Sequence, residues 1–269
     1  MNHIQARFIS IGIAAAGVLI GTSAVAAQQH RGVVGLFSGQ NALSTCAFLA
    51  DNRFQCWGSL FSGLQNVADS SRISAVSIGG NNFACALKND RTVECWGSNR
   101  QGQLGDGTTS ARTTPVLVIV NSGGILQNVA QISAGFSHVC ALKTDGTVWC
   151  WGGNGFGQIG NFNVAAVFQP TAVQVLVNDG SADPLGSVEW ITSGGNHTCA
   201  QFLPDVHGAR TGACWGYNAY GQLGDGAISR SENSPVTIEV PGPSGPESLQ
   251  MNAKTLTAGE RHTCTMIGD

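Results

Sequence analysis

Cysteine is the residue type through which this sequence of 269 residues could do most chemistry, since nine cysteines could form disulfides, bind a metal or act as nucleophiles. Three successive pairs have nine residues between their members, and a fourth pair has fourteen. The pairs are Cys46 with Cys56, Cys85 with Cys95, Cys140 with Cys150, and Cys199 with Cys214. Cys264 follows alone and is expected to have no partner in this sequence.

A β-hairpin pattern lies between the two members of each pair. Asp145-Gly146 sits midway between Cys140 and Cys150, and Asp-Gly is a favoured dipeptide of two-residue hairpin turns. Antiparallel pairing places such cysteines opposite each other, with Cβ atoms about 4.5–5.5 Å apart, close enough for a disulfide. We therefore predict four structural disulfides. Zinc ligation and buried reduced thiols are the alternatives, but zinc ligands usually lie about two to four residues apart.

Three histidines recur two residues before a cysteine, and Phe83 takes their place in one copy. They are His138, His197 and His262. Symmetric histidines could hold a metal in a central channel, but a hydrogen-bonding role between repeats is the more common use of such a residue. We therefore expect no metal site and no cofactor.

No catalytic arrangement stands out in the sequence. The Gly-x-Ser-x-Gly elbow and the His-Glu-x-x-His helix motif are both missing. Asp106 and Asp225 recur in equivalent Gly-rich segments, which indicates turn building rather than acid–base chemistry. Those segments resemble a nucleotide-binding fingerprint only in their glycines, because strand-like residues and not a helix follow them. We predict that the protein is not an enzyme.

The cysteine pairs belong to a longer repeat. A Gly-containing turn precedes each first cysteine from Cys85 onward, and Trp-Gly follows each second cysteine, where we expect the Trp to pack between repeats. A Gly-rich loop then follows in three copies, with Asn99, Asn154 and Asn218 expected to bond the backbone of a turn. Further strand candidates bring each unit to about four strands. Such units bury their apolar faces only by stacking, and radial stacking makes a β-propeller.

Composition and charge agree with an all-β protein that does not bind nucleic acid. Charged residues make up 11% of the chain, against roughly 25% in an average soluble domain, whereas glycine reaches 37 residues. No run of Lys or Arg provides the basic footprint of a nucleic-acid partner.

The first 26 residues have the pattern of a cleaved export signal. A short basic start leads into an apolar run of 13 residues, Phe8 to Ile20, and Ala24-Val25-Ala26 fits a cleavage site. A membrane anchor is the alternative, but spanning a bilayer takes about 20 apolar residues. We expect no membrane span after cleavage, and a location in the periplasm, at the cell surface or outside the cell, where disulfides persist.

The combined motifs resemble the regulator of chromosome condensation repeat. They are Ala-Gly-x-x-His-x-Cys-Ala-Leu, then Asp-Gly-x-Val-x-Cys-Trp-Gly, then Gly-x-Asn-x-x-Gly-Gln-Leu-Gly-Asp-Gly. The resemblance implies a propeller of four-stranded antiparallel blades, usually seven of them. It also implies a binding role, since exported members act by contacting proteins, whereas the nuclear founder exchanges nucleotide on a small GTPase.

The sequence departs from the family pattern in length, with about four blades and part of another. We predict a signal peptide at 1–26, a short lead-in at 27–41 and an incomplete propeller at 42–269. Its repeats are expected near 42–66, 76–120, 129–177, 188–240 and 254–269. We expect a longer protein, with a further Cys-Trp-Gly about ten residues after Cys264. The alternative is a genuine ring of four or five blades.

Function is predicted to reside on the propeller rim. Arg100, Phe156, Tyr217 and Tyr220 are the candidate contacts to a protein or cell-envelope partner, although the aromatic rings could instead pack on neighbouring blades. We predict a secreted binding or scaffold protein. The alternatives are exchange activity on a small GTPase and the N-terminal repeat region of a larger exported enzyme.

Overall fold

The computed structural model describes residues 32–38, 44–49, 54–58, 61–66, 72–163, 165–177, 181, 183–206, 208–242, 245–249 and 255–266. The predicted signal peptide at 1–26 lies outside these residues. In the part of the chain that the structure describes, no helical segment has the length and apolar character that a bilayer crossing requires.

Four four-stranded antiparallel sheets follow one another along the chain, and we number them blades 1 to 4. Blade 1 consists of β1 (Val33–Ser38), β2 (Ser44–Leu49), β3 (Phe54–Gly58) and β4 (Phe61–Asn66). Blade 2 consists of β5 (Ile73–Gly79), β6 (Phe83–Lys88), β7 (Val93–Gly97) and β8 (Arg112–Leu117). Blade 3 consists of β9 (Val129–Ala134), β10 (His138–Lys143), β11 (Val148–Gly153) and β12 (Phe168–Gln174).

Blade 4 consists of β13 (Val188–Ser193), β14 (His197–Phe202), β15 (Gly212–Tyr217) and β16 (Ser231–Thr237). A hairpin of β17 (Glu239–Gly242) and β18 (Gly245–Ser248) follows. The pair β19 (Thr257–Ala258) and β20 (Thr263–Cys264) begins a fifth repeat. The predicted all-β fold of four-stranded antiparallel blades is confirmed. Blade 1 begins earlier than the predicted 42–66, because β1 lies in the stretch assigned to the lead-in.

The second strand of blades 2, 3 and 4 is buried along almost its whole length. In β6, β10 and β14, five successive residues are buried, since neighbouring strands cover the edges and neighbouring blades cover the faces. The outer strand β8 is by contrast half-buried or exposed throughout. The central strands β6 and β10 therefore lack the alternation of apolar and polar residues that is typical of a sheet with one solvated face.

The apolar core lies between blades rather than within them. Leu104, Leu126 and Trp151 belong to the core between blades 2 and 3, and Ile159 and Trp215 to the core between blades 3 and 4. Both tryptophans are wholly buried. Each blade therefore completes the core of the blade before it, which is why the units must stack.

Strand order gives the array two different ends. The Gly-containing turns (80–82, 135–137, 194–196 and 259–262) and the Gly-rich loops (98–111, 154–167 and 218–230) all lie at one end, which we call the loop face. The tips of the cysteine hairpins lie at the other end, which we call the hairpin face. All four rim residues named from the sequence belong to the loop face. Arg100, Phe156 and Tyr220 lie in the Gly-rich loops, and Tyr217 is the last residue of β15 at the same end.

Candidate binding surface

The Gly-rich loops are held in shape by their buried asparagines. Asn99 Nδ2 donates to the carbonyls of Thr108 and Ser110, both at 3.0 Å, and Asn99 Oδ1 accepts from the Leu104 N–H at 2.9 Å. Asn154 and Asn218 make the corresponding bonds within their own loops. Each loop thus carries an internal set of hydrogen bonds that fixes the side chains displayed on it.

The two loop aspartates are engaged by their own loops. Asp106 Oδ1 accepts from the Thr108 N–H at 3.0 Å and from its hydroxyl at 2.7 Å, and Arg112 Nε donates to Oδ2 at 3.0 Å. Burial alone would raise the pKa of Asp106, but the hydrogen bonds from Thr108 and Arg112 hold that pKa below its ordinary value. Asp225 Oδ1 accepts from the Ala227 N–H at 3.1 Å. Both carboxylates thus take part in the hydrogen bonding of the loops that carry them.

The loops of blades 3 and 4 present an aromatic cluster, which we define as Phe156, Tyr217, Tyr220 and Arg261. The Phe156 and Tyr217 ring centroids are 4.7 Å apart, and those of Tyr217 and Tyr220 are 5.9 Å apart, both edge-to-face. The Arg261 guanidinium lies 5.2 Å from the Tyr220 centroid, and its Nη1 donates to the Tyr220 hydroxyl at 3.2 Å. Tyr220 remains 57% exposed.

The structure brings together three of the four rim residues that the sequence suggested and leaves the fourth apart. Arg100 is exposed on the loop of blade 2, and among the described residues no ring contact joins it to the aromatic cluster. In that loop Gln101 takes the position that Phe156 and Tyr220 occupy in theirs. Arg261 was missed because it lies in the turn before Cys264, 41 residues beyond Tyr220.

Family models for the "Regulator of chromosome condensation (RCC1) repeat" match the chain at residues 73–103 and 129–158 in one form. In a second form they match residues 93–142, 145–201 and 214–266, more than half of the chain. The chain belongs to the RCC1 repeat family. This confirms the family that the sequence motifs suggested.

Curated relatives share the RCC1 repeats within longer proteins. The human "Probable E3 ubiquitin-protein ligase HERC4" is 28% identical over 204 residues, which is 76% of this chain and 17% of that protein. The "Ultraviolet-B receptor UVR8" of Arabidopsis thaliana is 26% identical over 199 residues, covering 74% of this chain and 40% of the receptor. The chain therefore spans less than half of either relative.

Solved structures show the same propeller fold. Yeast RCC1 (Prp20), solved bound to Kap60, is 19% identical with a TM-score of 0.62, covering 88% of this chain and 54% of that one. Human WBSCR16 is 17% identical with a TM-score of 0.65, covering 89% of this chain and 58% of that one. At these identities the likeness establishes the fold.

The RCC1-repeat histidines lie between blades. His138 Nε2 is 2.9 Å from Thr198 Oγ1, and His197 Nε2 is 3.0 Å from Thr263 Oγ1. Burial, followed by the charge of the next histidine in the row, lowers the pKa of His138 to about 3 and that of His197 to about 4. Both rings are therefore neutral at physiological pH. Among the described residues, no group of three or more His, Cys, Asp or Glu side chains is placed to hold a metal.

The RCC1-repeat cysteines lie opposite each other in each hairpin, as in the pairing of Cys140 with Cys150. Four disulfides are present, with Cα atoms 4.0–4.1 Å apart, joining Cys46 to Cys56, Cys85 to Cys95, Cys140 to Cys150 and Cys199 to Cys214. Cys264 is a free and exposed thiol. Eight of the nine cysteines thus have no thiol available for chemistry.

Proposed function

We propose that this RCC1-repeat protein is an exported, non-catalytic binding module that contacts a protein partner through the aromatic cluster on its loop face. The observation that carries the proposal is the continuous edge-to-face contact from Phe156 through Tyr217 to a Tyr220 that is still more than half exposed. A ring in that position leaves apolar surface in water, and a partner that covers it gains the free energy of its burial.

The chemistry of the cluster suits protein recognition. Tyr, Trp and Arg are the residues that most often dominate the binding energy of protein interfaces. A Tyr side chain has few rotatable bonds, so a ring already positioned by its neighbours loses little conformational entropy on binding. Tyr217 on one side of Tyr220 and Arg261 on the other supply that positioning.

The remaining titratable groups of this region favour binding over catalysis. Both oxygens of Asp106 and Oδ1 of Asp225 accept hydrogen bonds from neighbouring residues, and His138 and His197 are buried and neutral. The related yeast protein Prp20 has been solved bound to Kap60 and has binding properties to Gsp1p and histones. Protein partners are thus in use within the family, which supports a protein partner for this chain.

Export is supported by two independent features. Residues 1–26 have the leader pattern that ends in Ala24-Val25-Ala26, and four disulfides join the blade hairpins. Disulfides persist in oxidising compartments and are rare in the cytosol, where small GTPases and ubiquitin ligases act. The partner we propose is therefore an extracellular or cell-envelope protein.

Site-specific photocrosslinking tests the proposal. We place p-benzoylphenylalanine at Tyr220 or, as a matched control, at Val206, which is 95% exposed in the hairpin tip between β14 and β15 on the hairpin face. The expected result is one saturable crosslinked protein from the Tyr220 position, which excess unlabelled protein displaces. Equal crosslinking from both positions, or crosslinking that unlabelled protein does not displace, would contradict a binding site at the cluster.

A further inference from the structure

A cavity of about 530 Å³ opens on the hairpin face between blades 2 and 3, and we call it the blade 2–3 cavity. Blade 2 contributes Ser74, Lys88 and Arg91 to its walls, and blade 3 contributes Ala130 and Thr144. Its volume lies within the range of about 300–1,000 Å³ that is usual for ligand sites. Two of the lining side chains are cations, and among the described residues no carboxylate lines the cavity.

Arg91 has an unusual backbone conformation for its residue type. Its φ is +65°, in the left-handed region that glycine adopts readily and bulky residues rarely adopt. Gly146 occupies the equivalent position in blade 3, with φ +81°. Residues held in such a conformation are often found where a protein binds a ligand. Arg91 is therefore the residue of this cavity that calls for a functional explanation.

The two cations of the cavity differ in their partners. Lys88 Nζ donates to Glu94 Oε1 at 2.8 Å and lies 4.0 Å from Asp90 Oδ2, so its charge is offset within blade 2. The Arg91 guanidinium makes no hydrogen bond or ion pair within the part of the chain that the structure describes. The uncompensated positive charge of the cavity is thus that of Arg91.

Blade 4 shows what the equivalent arginine binds. Arg210 and Arg91 each lie four residues before the second cysteine of their blade. Arg210 Nε donates to Glu189 Oε1 at 2.6 Å. Glu189 is the extra residue at a β-bulge in β13, and bulges commonly redirect a side chain. In blade 4 the bulge residue therefore supplies the carboxylate for the arginine of the hairpin.

Blade 2 has the same bulge but no carboxylate there. Ser74 is the extra residue at the bulge of β5, and its hydroxyl donates to the Leu87 carbonyl at 3.1 Å. Blade 3 has Ala130 at its bulge and Gly146 in place of the arginine, so it has neither partner. The Arg–Glu pair is thus complete in blade 4 and missing in blade 3, whereas blade 2 has the arginine alone.

We propose that the blade 2–3 cavity binds the side chain of a glutamate from an extended peptide segment of another protein. The carboxylate accepts from the Arg91 guanidinium, as Glu189 accepts from Arg210 in blade 4. Charge-assisted bonds of this kind are about twice as strong as those between neutral groups. Because Ser74, Arg91 and Thr144 are all exposed, a side chain can enter the cavity while its backbone stays outside.

Titration with short peptides tests the site in the full-length protein. The probes are acetyl-Ala-Glu-Ala-amide and the same peptide with Gln in place of Glu, and the signals are the arginine Nε–H resonances of the ¹⁵N-labelled protein. The Arg91 resonance is identified by its loss in the variant Arg91→Gly. We expect the Glu peptide to shift this resonance and to bind at least about tenfold more tightly than the Gln peptide. Free butyrate, which has the side chain without the peptide backbone, should bind more weakly than the Glu peptide.

Two variants copy the other blades of the same chain. Ser74→Glu introduces the carboxylate of blade 4 and should abolish peptide binding while Arg91 remains. Arg91→Gly introduces the glycine of blade 3 and should abolish binding but raise the melting temperature, because glycine adopts a positive φ without strain and Asp-Gly favours the hairpin turn.

Four results would overturn the proposal. They are equal affinity for the Glu and Gln peptides, butyrate binding as tightly as the Glu peptide, full peptide binding by Ser74→Glu, and a lower melting temperature of Arg91→Gly. The last result would mean that the arginine is present to stabilise the fold.

This inference does not depend on the proposed function, because the cavity lies on the hairpin face and the aromatic cluster on the loop face. A negative peptide titration leaves the Tyr220 crosslinking result as it stands, and an unsuccessful search for a partner at Tyr220 leaves the titration as it stands. The crosslinking control at Val206 lies in the hairpin tip of blade 4 and not at this cavity.

Discussion

The imidazole Nε2 of His138 lies 2.9 Å from the hydroxyl of Thr198, joining blade 3 to blade 4. Because the Thr198 hydroxyl donates to the Gln158 carbonyl, it accepts from the Nε2–H of the neutral ring. At the boundary between blades 2 and 3, Phe83 takes the place of the histidine and Val139 that of the threonine, and both lie in the shared core. Within one chain, therefore, a His–Thr pair and a Phe–Val pair perform the same structural task.

This arrangement predicts that lowering the pH reduces the free energy of unfolding even at pH values above those at which carboxylates titrate. The pKa of His138 is lowered to about 3 and that of His197 to about 4, chiefly by burial, while the unfolded chain titrates near 6.5. The unfolded state therefore binds more protons as the pH falls below about 6.5. The stability is complete above that pH and falls by up to about 1.4 kcal/mol per pH unit for each histidine. Urea unfolding at intervals from pH 7.5 to 4.5 measures the slope.

The double variant His138→Phe with Thr198→Val supplies the control, because it copies the Phe83–Val139 pair into the next boundary. The slope of its unfolding free energy against pH should be smaller than that of the unchanged protein by up to about 1.4 kcal/mol per pH unit, because one proton fewer is taken up on unfolding. An unchanged slope would show that His138 is not responsible for the acid sensitivity.

The burial of two repeat tryptophans, Trp151 and Trp57, predicts that replacing them with alanine destabilises the protein by very different amounts. Trp151→Ala removes a wholly buried indole and its bond to the Gln103 carbonyl, so it should destabilise the protein by about 3–5 kcal/mol. Trp57 occupies the same motif position in blade 1 but is 39% exposed. Trp57→Ala should cost much less, and chemical unfolding of the two variants makes the comparison. Similar losses would contradict the packing described between blades.

Two glycines of the same loop, Gly155 and Gly160, should respond differently to replacement by alanine. Gly160 has φ +72°, and a methyl group there would meet the Trp215 indole at 2.8 Å. Gly155 has no atom within 4 Å of such a methyl group. Gly160→Ala should destabilise the protein by about 1 kcal/mol or more, and Gly155→Ala should be close to neutral. A neutral Gly160→Ala in thermal unfolding would count against the loop geometry.

The hairpin disulfides allow two predictions, one for the connectivity of the cysteines and one for the unfolding free energy that a disulfide contributes. Peptide mapping without reduction should join Cys140 to Cys150 within one hairpin. Replacing both Cys140 and Cys150 with Ala should lower the unfolding free energy by about 2.5–3 kcal/mol, the loop entropy of so short a closure. A bond between Cys56 and Cys85, or free thiols throughout the exported protein, would contradict the hairpin pairing.

Much of the fold is predictable because its signals are local. The spacing of Cys140 and Cys150 around Asp145-Gly146 determines a hairpin within eleven residues, and repetition of the pattern determines that the hairpins stack. For the contacts between blades, the sequence predicts which residue type recurs but not which residue it contacts. His138 reaches Thr198, 60 residues further on, and the sequence shows the recurrence of the histidine without showing its partner.

The aromatic cluster shows where sequence reasoning falls short. Phe156, Tyr217 and Tyr220 could be named from their place in or beside Gly-rich loops, but Arg261 approaches Tyr220 only because the fifth repeat packs on blade 4. The two tryptophans of identical motif, Trp57 and Trp151, differ in burial, and Trp151 is buried against the Gly-rich loop of blade 2, where it bonds the Gln103 carbonyl. Contacts made across a blade boundary thus depend on the stacked array and not on the local pattern.

The affinity of the partner captured at Tyr220 tests most directly whether the aromatic cluster binds a protein. It is measured for the unchanged protein, for Tyr220→Ala and for Val206→Ala, whose side chain is exposed on the hairpin face. We predict that Tyr220→Ala weakens binding by at least about tenfold and that Val206→Ala leaves it unchanged. Equal affinity of all three proteins would contradict binding through the cluster.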